Sequence, residues 1–187
     1  MKKYKALNNS IFQRDTYSLI PIRYKDRFSI MKWRNEQVYH LRQSKLLTES
    51  DQENYFKKIV SKQFEEEFPS QILFSFLKNN VCIGYGGLVH INWIDRNAEL
   101  SFIMDTDLEK DKFHEIWSSY LPLIEVVAFN DLKLHKIHTY AFDLRPHLYF
   151  MLEENGYIKE AILKEHCLIN CEYKNIIIHS KLNKNGY

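Results

Sequence analysis

The spacing of apolar positions changes along this chain, and the changes mark out its elements. Tyr17-Ser-Leu-Ile-Pro-Ile22 predicts a short first strand, with Pro21 confining it to an edge or an end. A helix follows over residues 25–37, carrying Phe28, Met31 and Trp33. A second helix starts near Ser50, where Ser50 and Glu53 have capping-box spacing, and presents Tyr55, Phe56, Ile59 and Val60 on one face. The charge run Glu65 to Glu67 reads as its solvated end, stopped before Pro69. Ile72 to Leu77 is a strand, and Asn79-Asn80 suits a tight turn because Asn tolerates positive φ. A long hairpin follows from Cys82 to Met104. From Phe113 to Ala128 the apolar positions recur at helical spacing, with Pro122 expected to kink that helix or remove one of its hydrogen bonds. Lys136 to Ala141 is a strand, and Pro146 opens a helix that Asn155-Gly156 closes. Two last strands, Ile158–Ile169 and Tyr173–Leu182, turn at Asn170-Cys171. The order predicts an α/β fold: one domain over 17–182 with a mixed, mostly antiparallel sheet of about seven strands flanked by helices. Residues 1–16 read as a lead-in and 183–187 as a tail.

The central hairpin holds the most distinctive residues. Gly84, Gly86 and Gly87 weaken a strand and mark either a bulge or a close approach by another backbone or a ligand. Glu99 stands among Ala98, Leu100 and Phe102, so its carboxylate sits at a sheet rim or in a site.

Charge narrows the partners. Lys plus Arg number 26 against 24 for Asp plus Glu, so no strong field draws the chain to nucleic acid or to a membrane surface. No apolar run approaches the roughly 18 residues of a membrane span. Met1 to Ser10 has charge but no apolar core, unlike a secretory signal. Three cysteines, an odd number, read as reduced thiols of a cytoplasmic protein. His135, His138 and His147 are a weak metal pattern whose first two members fall across a strand start, and Cys167 and Cys171 beside His166 lack the second pair a structural zinc takes; no metal is expected.

Several segments together carry a family resemblance. Ala128-Phe-Asn-Asp-Leu-Lys-Leu-His-Lys-Ile137, Met151-Leu-Glu-Glu-Asn-Gly-Tyr157, Leu163-Lys-Glu-His166 and Glu172-Tyr173 are similar to segments of the GNAT N-acetyltransferases, the later ones to the branch that acetylates ribosomal-protein N-termini. Trp33-Arg34-Asn35 after the first helix resembles GNAT enzymes that acetylate amino sugars on nucleotide carriers. The resemblance runs from about Tyr17 to Leu182 and implies a bacterial, acetyl-CoA-dependent N-acetyltransferase. It implies Glu99 as the base that takes a proton from the amine. It places Phe102, Ile103 and Met104 at the cofactor through backbone N–H groups of a splayed strand. The family's phosphate loop falls at Glu109-Lys-Asp-Lys-Phe113, where Lys110, Lys112 and the helix start at Phe113 are left to hold the phosphates. This segment departs from the family in having no glycine. Arg145 replaces the Asn that usually opens the next helix, and Leu152 replaces the usual general-acid Tyr, for which Tyr149 is one turn away.

Trp33, Arg34, His90, Asn92 and Trp93 are candidates for the acceptor pocket, since aromatic and amide groups suit a sugar or a base. The alternative makes Trp33 core and the turn at 90–95 a solvated loop. Three functions stay open: acetylation of a primary amine on a small molecule or nucleotide-carried amino sugar, acetylation of a protein N-terminus, and a GNAT-fold binding module without turnover. A homodimer is compatible with each.

Overall fold

The computed structural model describes residues 2–184. The strands are β1 (Phe12–Arg14), β2 (Tyr17–Pro21), β3 (Ile72–Lys78), β4 (Val81–Asn92), β5 (Asn97–Met104), β6 (Lys136–His138), β7 (Ala141–Phe142), β8 (Ile158–Ile169) and β9 (Glu172–Leu182). The helices are α1 (Arg27–Glu36), α2 (Glu49–Tyr55), α3 (Ser61–Gln63), α4 (Thr106–Glu125) and α5 (Pro146–Glu154). A single-turn π segment, Phe56–Val60, joins α2 to α3, and another, Val126–Asp131, ends α4.

The nine strands form one sheet in the order β1-β2-β3-β4-β5-β6-β9-β7, with β8 on β9. Two differences account for the change from about seven. The strand expected at 136–141 is interrupted at Thr139-Tyr140, so β6 and β7 pair in turn with β9. The other addition, β1, lies within the expected lead-in. That segment belongs to the core: Tyr4 and Leu7 are buried, and the Tyr4 hydroxyl donates to the Leu73 carbonyl at 2.9 Å while accepting from the Leu73 N–H. β2 pairs with β3 as far as Pro21↔Phe74; beyond it the Leu73 carbonyl also accepts from the Ile22 N–H at 3.0 Å, and the Leu73 N–H is left to Tyr4. Of the expected tail, Asn183 is tied to the His135 carbonyl, and 185–187 lie outside the described residues.

Helix starts moved because caps outrank apolar spacing. The α2 capping box is Thr48 with Asp51, two residues before the expected pair. α4 begins at Thr106, where the Asp105 side chain accepts from the Asp107 N–H; before Phe113 its only apolar residue is Leu108, which leaves no apolar period to read. Pro122 lies inside α4, which continues past it to Glu125. The turns at Asn79-Asn80 and Asn170-Cys171 have positive φ, and Gly156 ends α5 at φ 81°.

Two faces of the central strands divide the molecule. Phe74, Phe76 and Phe102 face α4, where Phe102 stacks on Tyr120 at 3.9 Å and meets Trp117 edge-on. Gly86 allows this layer to close: a Cβ there would sit 2.2 Å from the Ser101 carbonyl, which accepts from the Tyr120 hydroxyl. The glycines therefore mark close protein packing, and Gly84 also adjoins one irregularity of β4, where Phe76 pairs with Gly84 and Leu77 with Cys82; a second lies between Val89 and Asn92. The opposite face, below α1 and α2, carries the site.

Candidate active site

Cross-strand register builds the floor. Ser75, Tyr85 and Ile103 form one row, Leu73, Gly87 and Ser101 the next, and Val89 with Glu99 the third. α1, the irregular segment 41–47 and α2 close over this floor. Three adjoining hollows result. The first is lined by Arg34, Gln52, Tyr55, Gln71, Tyr85 and Val89; the second by Arg34, Arg42, His90 and Ile103; the third by Arg42, Glu99, Phe102, Ile103, Tyr140 and Arg145.

The third hollow exists because β5 and its outer neighbour part. β5 pairs in parallel with β6 from Asn97↔Lys136 to Glu99↔His138 and no further. Side-chain-free Gly84 and Gly86 lie against the carbonyls of Ile103 and Ser101, so these residues turn their polar groups toward β4. Strand alternation then turns those of Phe102 and Met104 to the opposite edge, facing the hollow. Gln37 donates to the Met104 carbonyl at 2.8 Å, which leaves N–H groups there for a ligand. Of the three residues placed at the cofactor by resemblance, Phe102 and Ile103 line the hollow and Met104 is buried in the core beside it.

Glu99 lies where β5 is still paired on both sides. It is 8 % exposed, and each carboxylate oxygen has a partner: Arg42 Nη2 on Oε1 and His90 Nδ1 on Oε2 at 2.8 Å. The β4 bulge, with His90 at φ 49°, brings this imidazole to the carboxylate. An ionised carboxylate only accepts, so Nδ1 carries the proton and Nε2 of a neutral ring is left as an acceptor. The Arg42 guanidinium also lies over the Tyr140 ring, 4.6 Å from its centre, and borders both the second and the third hollow.

The Trp33-Arg34-Asn35 motif divides three tasks. Trp33 is 3 % exposed in the core and lines none of the three hollows, because its position on α1 points into the packed layer; its assignment to the acceptor pocket is corrected. Asn35 holds segment 41–47 by accepting from the Leu47 N–H and donating to the Leu47 carbonyl. Arg34 faces the first hollow, donating to the Tyr85 hydroxyl at 2.7 Å and to Gln43 Oε1 at 3.1 Å. No carboxylate among the described residues pairs with it. Asp51, on the same hollow, is engaged by the Thr48 N–H and hydroxyl.

Other expected contacts fall elsewhere. Asn92 caps the hairpin turn by bonding Asp95, and the Trp93 indole donates to the Pro69 carbonyl at 2.9 Å, so both stiffen the turn instead of lining the first or second hollow. The Tyr149 hydroxyl donates to the Phe142 carbonyl at 2.9 Å, and burial followed by the nearby Asp143 pushes it up to about 12, which is unsuited to a general acid. Lys112 pairs with Glu115 at 3.4 Å on the second turn of α4, and Lys110 is exposed on the same turn. Phe113 stands in the helix body against His147, not at the helix start. Arg42, Gln71 and Tyr85 were absent from the sequence expectation, and Tyr55 was expected only on the apolar face of the second helix. The register that pairs Tyr85 with Ile103 was the available signal for one of them.

Comparison with known proteins decides the family. The sequence model of the acetyltransferase (GNAT) domain matches residues 19–178. The chain belongs to the GNAT acetyltransferases. It is accordingly an N-acetyltransferase that uses acetyl-CoA. Similar solved structures include a spermidine N-acetyltransferase from Vibrio cholerae in complex with CoA and spermine, at TM-score 0.76 and 21% identity over 91% of this chain and 97% of that one. A dodecameric form of spermidine N-acetyltransferase from the same organism has TM-score 0.73 at 21% identity, over 91% and 95% of the two chains. A putative acetyltransferase has TM-score 0.72 at 14% identity, over 94% and 90%. These likenesses bear on the fold. Among curated proteins none matches the chain.

Proposed function

We propose that this GNAT enzyme acetylates the primary amine of a small molecule that also carries negative charge, with an amino sugar on a nucleotide carrier as the leading class. The observation that supports this reading is Arg34, a guanidinium on the acceptor hollow with only neutral partners. A half-buried cation gains from a counter-ion, and the forked donors of Arg match carboxylate or phosphate. A polyamine, the ligand of the Vibrio cholerae structure with spermine, would bring further positive charge to Arg34 and Arg42.

Acetyl-CoA, when bound, supplies a thioester whose carbonyl carbon the amine attacks as the thiolate leaves. The N–H groups on the outer edge of β5 at Phe102 and Met104 hold the carbonyl oxygen and the pantetheine arm. Glu99 fixes the His90 ring through Nδ1, and Nε2 accepts the proton the amine loses, so Glu99 acts as the base through His90. Arg42 pairs with the other carboxylate oxygen of Glu99. The departing thiolate needs no strong acid, since a thiol titrates near 8.5. The protein would act in the cytoplasm.

Mass spectrometry of the products formed from acetyl-CoA with an equimolar mixture of spermidine and a uridine-diphosphate-linked amino sugar tests this reading. Acetylation of the nucleotide-linked amine supports it; acetylspermidine as the main product overturns it. An acceptor peptide acetylated at its N-terminus in preference to both would establish the protein-directed alternative.

A further inference from the structure

The donor's diphosphate presents a separate problem at the other end of the cleft. The start of α4 would normally attract it, through free N–H groups and the positive end of the helix dipole. Here Asp105 consumes two of those donors: its side chain takes the Asp107 N–H at 3.2 Å, and its carbonyl takes the Leu108 N–H at 3.1 Å. The turn adds the carboxylates of Asp107 and Glu109. Exposed Lys32 meets Asp107 at 3.5 Å, whereas Lys112 is turned to Glu115. The terminus is thus self-capped and acidic.

Arg145 stands opposite this terminus, at the N-cap of α5 and on the wall of the third hollow. Its side chain is 12 % exposed, and Glu109 lies 3.7 Å from Nη1, too far for a hydrogen bond. The guanidinium makes no other ion pair among the described residues. We infer that Arg145 is the diphosphate ligand of the donor, and that Glu109 is the ion it leaves when the donor binds. Its fork can take two phosphate oxygens, which a self-capped helix end cannot. Glu109 then serves as a placeholder that lowers the cost of keeping a buried cation before the donor arrives. The inference rests on acetyl-CoA as the donor.

Calorimetry of acetyl-CoA with the full chain, alongside S-acetylpantetheine, which has the same thioester arm without the diphosphate, tests the assignment. Arg145→Ala should weaken acetyl-CoA by about tenfold or more, as loss of a charge-assisted contact does, and leave S-acetylpantetheine within about twofold. Glu109→Gln should tighten acetyl-CoA, because Arg145 no longer has to exchange partners. If Arg145→Ala fails to fold, Glu109→Gln decides the matter alone, and unchanged or weaker binding overturns the inference. Unchanged acetyl-CoA affinity in both variants, with only lower melting temperatures, would show a structural stitch between α4 and α5. Failure of the unsubstituted chain to bind acetyl-CoA at millimolar concentration would overturn the donor itself and this inference with it.

Discussion

The two ends of the site each hold an arginine, and they are built in opposite ways. At the acceptor end Arg34 meets only a tyrosine hydroxyl and an amide oxygen. At the donor end Arg145 faces Glu109, in a turn that also carries Asp105 and Asp107. The first arrangement leaves a positive charge uncompensated until a ligand arrives. The second compensates it within the protein, so the ligand must displace a carboxylate. Between them, β5 is laddered on both sides through Glu99 and open on one side after it. One strand therefore fixes Glu99 within a two-sided ladder and leaves its outer edge unpaired beyond that residue.

The largest effect concerns the support of the acceptor end. Trp33→Ala removes a core ring beneath α1 and should destabilise the fold by about 3–5 kcal/mol. Thermal melting checks this, and folded variant at low temperature should keep its acetyl-CoA affinity. A selective loss of acceptor use without a lower melting temperature would put Trp33 back in the pocket.

Glu99→Gln should lower turnover by about 10²–10³-fold at neutral pH, because the amide cannot hold His90 with the same charge. The deficit should shrink at high pH, where more of the amine is already neutral. His90→Gln should give a loss of similar shape, since both belong to one proton path and their effects do not add. A pH–rate profile that neither substitution alters would remove the pair from catalysis.

A smaller effect separates the donor end by its response to acid. Burial, with Arg145 beside it, holds the His40 imidazole down to about 3. An unfolded histidine titrates near 6.5, so between these values the folded state binds fewer protons. His40 thus contributes stability that is complete above about pH 6.5 and is lost as pH falls toward 3. His40→Gln should flatten the fall in melting temperature on going from about pH 7 to pH 4. An unchanged acid slope would show that other groups set it.

The sequence carried the fold well wherever apolar periods were long. β8 and β9 run almost as expected, and Gly156 ends α5 where a left-handed residue was required. The miss at α4 has a physical cause: its first turn is set by a side-chain cap and its first seven residues include only one apolar side chain, Leu108, so the apolar period starts late. That shift moved Lys110 and Lys112 from a helix terminus to a second turn and hid Arg145. The candidate site was only partly legible. Glu99 and His90 are nine residues apart and meet through a bulge, which the glycines did not locate. Arg42 comes from an irregular segment whose course depends on Asn35 and Gln43, and nothing in its own neighbourhood signals the contact.

The central claim is that a fixed positive charge at the acceptor end selects the substrate, and reversing that charge tests it most directly. The ratio of kcat/KM for a uridine-diphosphate-linked amino sugar to that for spermidine should be measured with the unsubstituted enzyme and with Arg34→Glu. The account predicts a ratio well above one that falls by about 100-fold or more on substitution, as a favourable charge contact becomes a repulsive one, while acetyl-CoA affinity stays within about twofold. A preference for spermidine in the unsubstituted enzyme, or a ratio that Arg34→Glu leaves in place, would contradict it.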